Sequence, residues 1–139
     1  DIFIISRDDL LEAYYKGLFG EIGTYNEMYN AIHSSEELLK QFTAAFNELL
    51  KEATKHNDVL IDMTQLSLST RRKMLNNFQN FKKNAFVIMT DNTELYRRNK
   101  ERFEKENKLI KDIVLFNMMT SFVYPIYEEG FENITLEIN

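Results

Sequence analysis

Apolar residues in this chain alternate between short continuous runs and longer runs of helical spacing. Ile2-Phe3-Ile4-Ile5 is a β-branched and aromatic run, the composition of a parallel strand covered on both faces. Val59-Leu60-Ile61-Asp62 and the stretch from Ala85 to Met89 repeat that pattern, and Ile134 to Ile138 alternates apolar with polar positions as an edge strand does. Leu38, Leu39, Phe42, Phe46, Leu49, Leu50 and Ala53 recur at helical spacing to about Lys55. Ahead of them, in Ser34-Ser35-Glu36-Glu37, Ser34 is placed to cap and Glu37 to complete a capping box. Shorter helices are predicted from Asp9 to about Gly17, from a cap at Ser67 or Ser69 to about Phe81, from Thr93 to about Lys105, and from about Asn107 to Phe122. Gly17, Gly20 and Gly23 mark a turn region. Strands separated by helices of crossover length predict an α/β fold, a parallel sheet flanked by helices.

Composition narrows the class. A chain of 139 residues, 44% hydrophobic and 28% charged, is expected to form a single domain over residues 1–139. No apolar stretch approaches the ~20 residues needed to span a bilayer, and no basic-then-apolar leader opens the chain, so a soluble, cytoplasmic protein without membrane partners is expected. Zero cysteines remove disulfides, thiolate zinc sites and cysteine nucleophiles together. His33 and His56 have no ligand-spaced partner, which leaves magnesium as the metal to consider. A net charge of -5 argues against nonspecific coating of nucleic acid, which requires many Lys and Arg contacts to phosphates, and leaves room for a small basic site.

The candidate chemistry sits where the strands end. Ile5-Ser6 runs into Arg7-Asp8-Asp9, Ile61-Asp62 into Met63-Thr64-Gln65-Leu66-Ser67 and Thr70-Arg71-Arg72, and Met89 into Thr90-Asp91-Asn92 and a helix with Arg98 and Arg102. Open α/β sheets place ligands at the carboxyl ends of their strands. Asp8 or Asp9 equally suits a helix cap, Ser67 is read as a cap, and Thr64 as turn chemistry or a ligand contact. Glu94, Glu101, Glu104 and Glu106 offer Arg98 and Arg102 salt bridges on an exposed helix as the alternative to a ligand.

Strand-Arg7-Asp8-Asp9, strand-Ile61-Asp62-x-Thr64-x-Leu66-Ser67-x-x-Thr70-Arg71-Arg72, strand-x-x-Asp91 followed by Arg97-Arg98-Asn99-x-x-Arg102, and Glu128-Glu129-Gly130-Phe131 before a last strand resemble, in order and spacing, the body of phage-type polynucleotide 5'-hydroxyl kinases. The resemblance covers essentially the whole chain. It implies a P-loop kinase fold with a lid over about residues 93–122, ATP and Mg2+ as cofactors, and a polynucleotide 5' end as partner. It implies Asp8 as the general base, and Arg98 and Arg102 as catalytic, phosphate-binding lid residues. Arg7, Thr64, Arg71 and Arg72 would contact the acceptor, and Asp62 would hold magnesium through water.

Three departures stand out. An arginine one turn after the base holds the acceptor in the family, and this chain has Leu11 there; Asn117 stands where an arginine often precedes the residue matching Met118. More consequential, no Gly-Lys pair exists, so the Gly-x-x-x-x-Gly-Lys-Ser/Thr loop that cradles nucleotide phosphates is missing. The first run matches the family's second strand, so about 25 residues of strand, loop and helix are unaccounted for. In the family that strand lies between those matching 59–62 and 85–89, and its loss leaves two inner edges unpaired. Either an upstream segment or additional domain supplies the loop, or the chain is a P-loop-free binding module. A kinase of the same superfamily acting on a small alcohol is the other enzymatic alternative.

Overall fold

The computed structural model describes all 139 residues. The elements are β1 (Ile2–Ser6), α1 (Arg7–Phe19), α2 (Tyr25–His33), α3 (Glu36–Ala53), β2 (Asp58–Asp62), α4 (Leu68–Leu75), β3 (Lys83–Met89), α5 (Asn92–Glu106), α6 (Asp112–Ser121) and β4 (Phe131–Ile138), with short 3-10 turns at Asn76–Phe78 and Tyr127–Glu129. The chain is α/β. Its strands form two parallel pairs, β1 with β2 and β3 with β4. Contacts gather into two compact units, residues 1–64 with 106–108, and residues 65–105 with 109–139.

In the first unit, β1 and β2 run in register from Ile2 beside Asp58 to Ser6 beside Asp62. Side chains alternate across a strand, so Ile5 is fully buried while Ile2 and Ile4, with Leu60 on the neighbouring strand, stay exposed. The expected burial of both faces is therefore realised on one. That face packs against α3. Leu11, Met28, Ile32 and Phe42 form the helical core of this unit, joined at its edge by Leu10, Tyr14, Tyr15, Tyr25 and Leu38.

The glycine-marked region resolves into structure. Gly17 lies within α1, and Gly20, at φ 79°, takes the left-handed cap that an L-residue adopts only with strain. Thr24 then opens α2 with a complete capping box, its hydroxyl accepting from Glu27 N while the Glu27 carboxylate accepts from Thr24 N. The next cap falls at Ser35 rather than Ser34, because Ser34 closes α2 and Ser35 accepts from Leu38 N. Glu37 is not part of a capping box; it accepts from Gln41.

In the second unit, Ser67 caps α4 through Thr70 N, as read from the sequence. The helix stops at Leu75 instead of Phe81, and Asn77 donates to the carbonyls of Lys73 and Met74 as the turn tightens. β3 and β4 pair over their full length, with a shift between Lys83 and Asn84. Val87 is buried and Phe86 and Ile88 are exposed, again one covered face. Residues 107–111, expected to be helical, form no helix; Asn107 takes a left-handed φ of 54°.

Candidate functional site

Register in the first unit delivers polar groups from the same strand ends. Ser6 stands beside Asp62, so Arg7-Asp8 and Met63-Thr64 leave the sheet together at its carboxyl edge. Ser6 caps α1, its hydroxyl accepting from Asp9 N at 3.3 Å. This overturns the alternative in which Asp8 or Asp9 caps that helix, and frees both carboxylates. Asp8 is exposed, and its Oδ2 accepts from the Lys108 ammonium at 3.0 Å. Asp62 and Thr64 are exposed at the end of β2.

Arg7 is drawn the other way. Its guanidinium lies 5.0 Å from the Phe42 ring centroid and 5.9 Å from that of Phe46, and donates to His33 Nε2 at 3.4 Å. His33 is stacked on Tyr29 at 3.8 Å and 11°, with Nδ1 2.9 Å from the Tyr29 carbonyl. With Nδ1 donating to that carbonyl, Nε2 is left to accept from Arg7. Arg7 thereby ties α1 to α2 and α3.

In the second unit Asp91 accepts from Thr93 N at 3.0 Å and opens α5. Arg98 and Arg102, i,i+4 on one helix, share a face. Arg98 is exposed and donates to Glu94 at 2.7 Å, while Arg97 bridges Glu94 and Glu101. The salt-bridged helix proposed as the alternative is thus present. Arg97 and Arg98, in that order, hold the Glu94 carboxyl down to about 2, and Glu94 raises the Arg97 guanidinium in return. Arg102 is different. It donates one terminal N-H to Asn99 at 3.2 Å, and its Nε is buried without a hydrogen-bond partner. A buried guanidinium N-H left unpaired is costly.

Asn99, unremarked in the sequence beyond its place in the Arg-Arg-Asn motif, is buried and clamps Ile110 from both sides. Its Nδ2 donates to the Ile110 carbonyl at 2.6 Å and its Oδ1 accepts from Ile110 N at 3.2 Å. The segment after α5 is tied back to that helix through this amide.

Arg71 and Arg72 separate sharply. Arg71 is buried, meets Glu129 through Nε at 2.7 Å and through its terminal nitrogen at 3.2 Å, and donates to the carbonyls of Gln65 and Leu66. Burial pushes the Glu129 carboxyl up; the Arg71 hydrogen bonds and the Ile126 N-H reverse this, and the net shift is downward. Arg71 is thus a buried clasp, its guanidinium hydrogen-bonded to Glu129 and to the carbonyls of Gln65 and Leu66. Arg72 is exposed and lines a cleft of about 410 Å³ with Asn76, Gln79, Lys83 and Glu128.

No group of three His, Asp or Glu side chains is placed to hold a metal. Magnesium binds through one or two carboxylates plus substrate phosphates and waters, so a lone exposed Asp62 fits its requirements. No protein-family model matches the chain.

Proposed function

We propose that the chain is the body of a P-loop-type kinase that transfers phosphate from ATP to a hydroxyl, with the 5'-hydroxyl of a polynucleotide as acceptor. The observation that carries this reading is the pairing of Ser6 with Asp62 in a parallel ladder, which brings Asp8 and Thr64 out at the same carboxyl edge with Asp8 left uncapped. Separate pairing of β2 with β1 and of β3 with β4 adds support, since these are the two strands that the resemblance flanks with a further strand. The Gly-x-x-x-x-Gly-Lys-Ser/Thr loop comes from a segment outside these residues.

In this reading Asp8 hydrogen-bonds the attacking hydroxyl and takes its proton as the new O–P bond forms and the bond from the γ-phosphorus to the ADP leaving group breaks. Arg102, with its unpaired Nε, and Arg98, released from Glu94, hold phosphate oxygens. Thr64 and Arg72 are acceptor contacts that the resemblance implies. Asp62 would hold a magnesium-bound water, and the metal would supply charge neutralisation on the phosphates. Asp8→Asn in the protein with its phosphate loop is expected to lower turnover by about 10²–10⁴ with ATP binding nearly unchanged. Unchanged turnover removes Asp8 from the reaction.

The second reading, a binding module without catalysis, rests on the lack of any Gly-Lys pair. It requires no saturable ATP binding in the longest natural form of the polypeptide. A small-alcohol kinase is distinguished by acceptor competition.

A further inference from the structure

Lys108 reaches across 100 residues of chain to donate to Asp8 Oδ2 at 3.0 Å, and its ammonium sits 4.1 Å from the centroid of the Tyr25 ring. Its tip is therefore held by a carboxylate from α1 and a π face from α2. Of the pair, the cation is the covered partner, its side chain 22% exposed against 57% for Asp8. The residue before it, Asn107, is the chain's one non-glycine position with positive φ. The backbone accepts a left-handed turn immediately ahead of this lysine.

An ion pair with an exposed carboxylate adds little to stability and calls for neither the ring nor the turned backbone. What the arrangement provides is a cation beside Asp8, which α1 does not offer. Arg7 is engaged by His33 and the Phe42 and Phe46 rings, Leu11 is buried in the core, and the helix's other cation, Lys16, lies in its last turn.

Resting on the reading of Asp8 as the group that takes the acceptor's proton, we infer that Lys108 determines acceptor class: its ammonium binds the phosphate attached to the 5'-terminal nucleoside, selecting a polynucleotide end over a free alcohol. An ammonium has three N-H donors, and Asp8 takes one. Within one nucleotide, five single bonds separate the 5' oxygen from the phosphorus on the 3' oxygen, a span of at most about 6 Å. A hydroxyl bonded to Asp8 thus carries its phosphate into reach of an ammonium resting on the same carboxylate. Tyr25 keeps the charge in place while the acceptor comes and goes.

The test compares wild type with Lys108→Met and Lys108→Arg, in the protein with its phosphate loop, on a 5'-hydroxyl dinucleotide and on the corresponding nucleoside without phosphate. Loss of one charge-assisted hydrogen bond should raise KM for the dinucleotide about tenfold to a hundredfold in Lys108→Met, leave KM for the nucleoside unchanged, and be largely repaired in Lys108→Arg. Binding of a single-stranded 5'-hydroxyl oligonucleotide is measured in parallel, where the slope of log K against log salt should fall by about 0.7 in Lys108→Met. Equal KM changes for both acceptors with an unchanged salt slope would overturn the inference and make Lys108 a tie on Asp8. The two readings fail separately. A slope that depends on Lys108 without phosphoryl transfer by wild type removes the kinase and keeps the phosphate contact; transfer with neither slope nor KM ratio altered does the reverse.

Discussion

Replacing Glu129 by alanine strands the Arg71 guanidinium in a site where the two side chains are 5% and 7% exposed. Removing one partner of a buried pair costs about 3–5 kcal/mol, because the remaining charge keeps its desolvation penalty and loses its counter-charge. The two single replacements are not equivalent. Without Glu129, Arg71 keeps the carbonyls of Gln65 and Leu66, which places Glu129→Ala near the lower end, about 3 kcal/mol. Without Arg71, two carbonyls lose their donor and Glu129 retains the Ile126 N-H alone, which places Arg71→Ala near the upper end, about 5 kcal/mol. Urea unfolding followed by far-UV circular dichroism reads these losses as midpoint shifts of about 1.5 and 2.5 M at a typical slope of ~2 kcal/mol per molar. The double variant Arg71→Met with Glu129→Leu removes both charges and fills the space, and is expected to return to within about 1 kcal/mol of wild type. Shifts under about 0.5 M for both single variants, or a double variant worse than either, would refute the clasp. Its pH dependence has a definite sign. The folded Glu129 carboxyl lies below its unfolded value, so the contribution is complete above about 4.3 and is lost as pH falls through the lower folded value.

The Glu94 carboxyl, held down to about 2 by Arg97 and Arg98, should still be ionised near pH 3.5 and protonate only in stronger acid; carboxyl 13C NMR checks this, and an ordinary titration near 4.3 would refute the pairing. The support it gives α5 is therefore present above about 4.3 and lost as pH falls toward 2. Asn99→Ala removes both hydrogen bonds to Ile110 and leaves that backbone without its partner, so amide exchange at Ile110 should accelerate roughly tenfold to a hundredfold, with unchanged exchange excluding the clamp. Arg102→Glu should weaken nucleotide binding by more than about tenfold in the protein with its phosphate loop, while Arg97→Glu leaves it nearly unchanged; equal effects would deny Arg102 a specific role.

What could be read from the residues was the arrangement carried by local pattern. Continuous apolar runs mark three strands, apolar-polar alternation marks the fourth, and the long amphipathic period marks α3, because these signals repeat over enough residues to outweigh single exceptions. The α2 helix was hidden by three neighbouring glycines, although Thr24 and Glu27 already spelled its capping box. Ser34 reads as the cap from local sequence, and the cap falls one residue later, at Ser35, because Ser34 closes the preceding helix. The site shows the same division. The placement of Asp8, Asp62 and Thr64 at strand ends is legible because position at a strand end is a local property, whereas Arg71 and Arg72 look alike in sequence and are told apart only by Glu129, 58 residues away. Lys108 carried no signal at all, since its partner lies 100 residues earlier.

The strands read as covered on both faces, and each parallel pair covers one. The two facts are compatible if composition reflects the environment in which the strands are used. Ile2, Ile4 and Leu60 in one pair, and Phe86 and Ile88 in the other, are apolar side chains on open sheet faces, where an antiparallel sheet meeting water would carry polar residues. Each strand of a two-stranded sheet also keeps one edge without a ladder partner, and unpaired edges invite further pairing. A segment bearing a phosphate loop on a strand and helix would provide a new ladder partner and an apolar helix face together. That is the physical reason for joining the proposed kinase to a piece of chain beyond these 139 residues: the same addition that would complete the chemistry would also cover the surfaces whose composition asks for it.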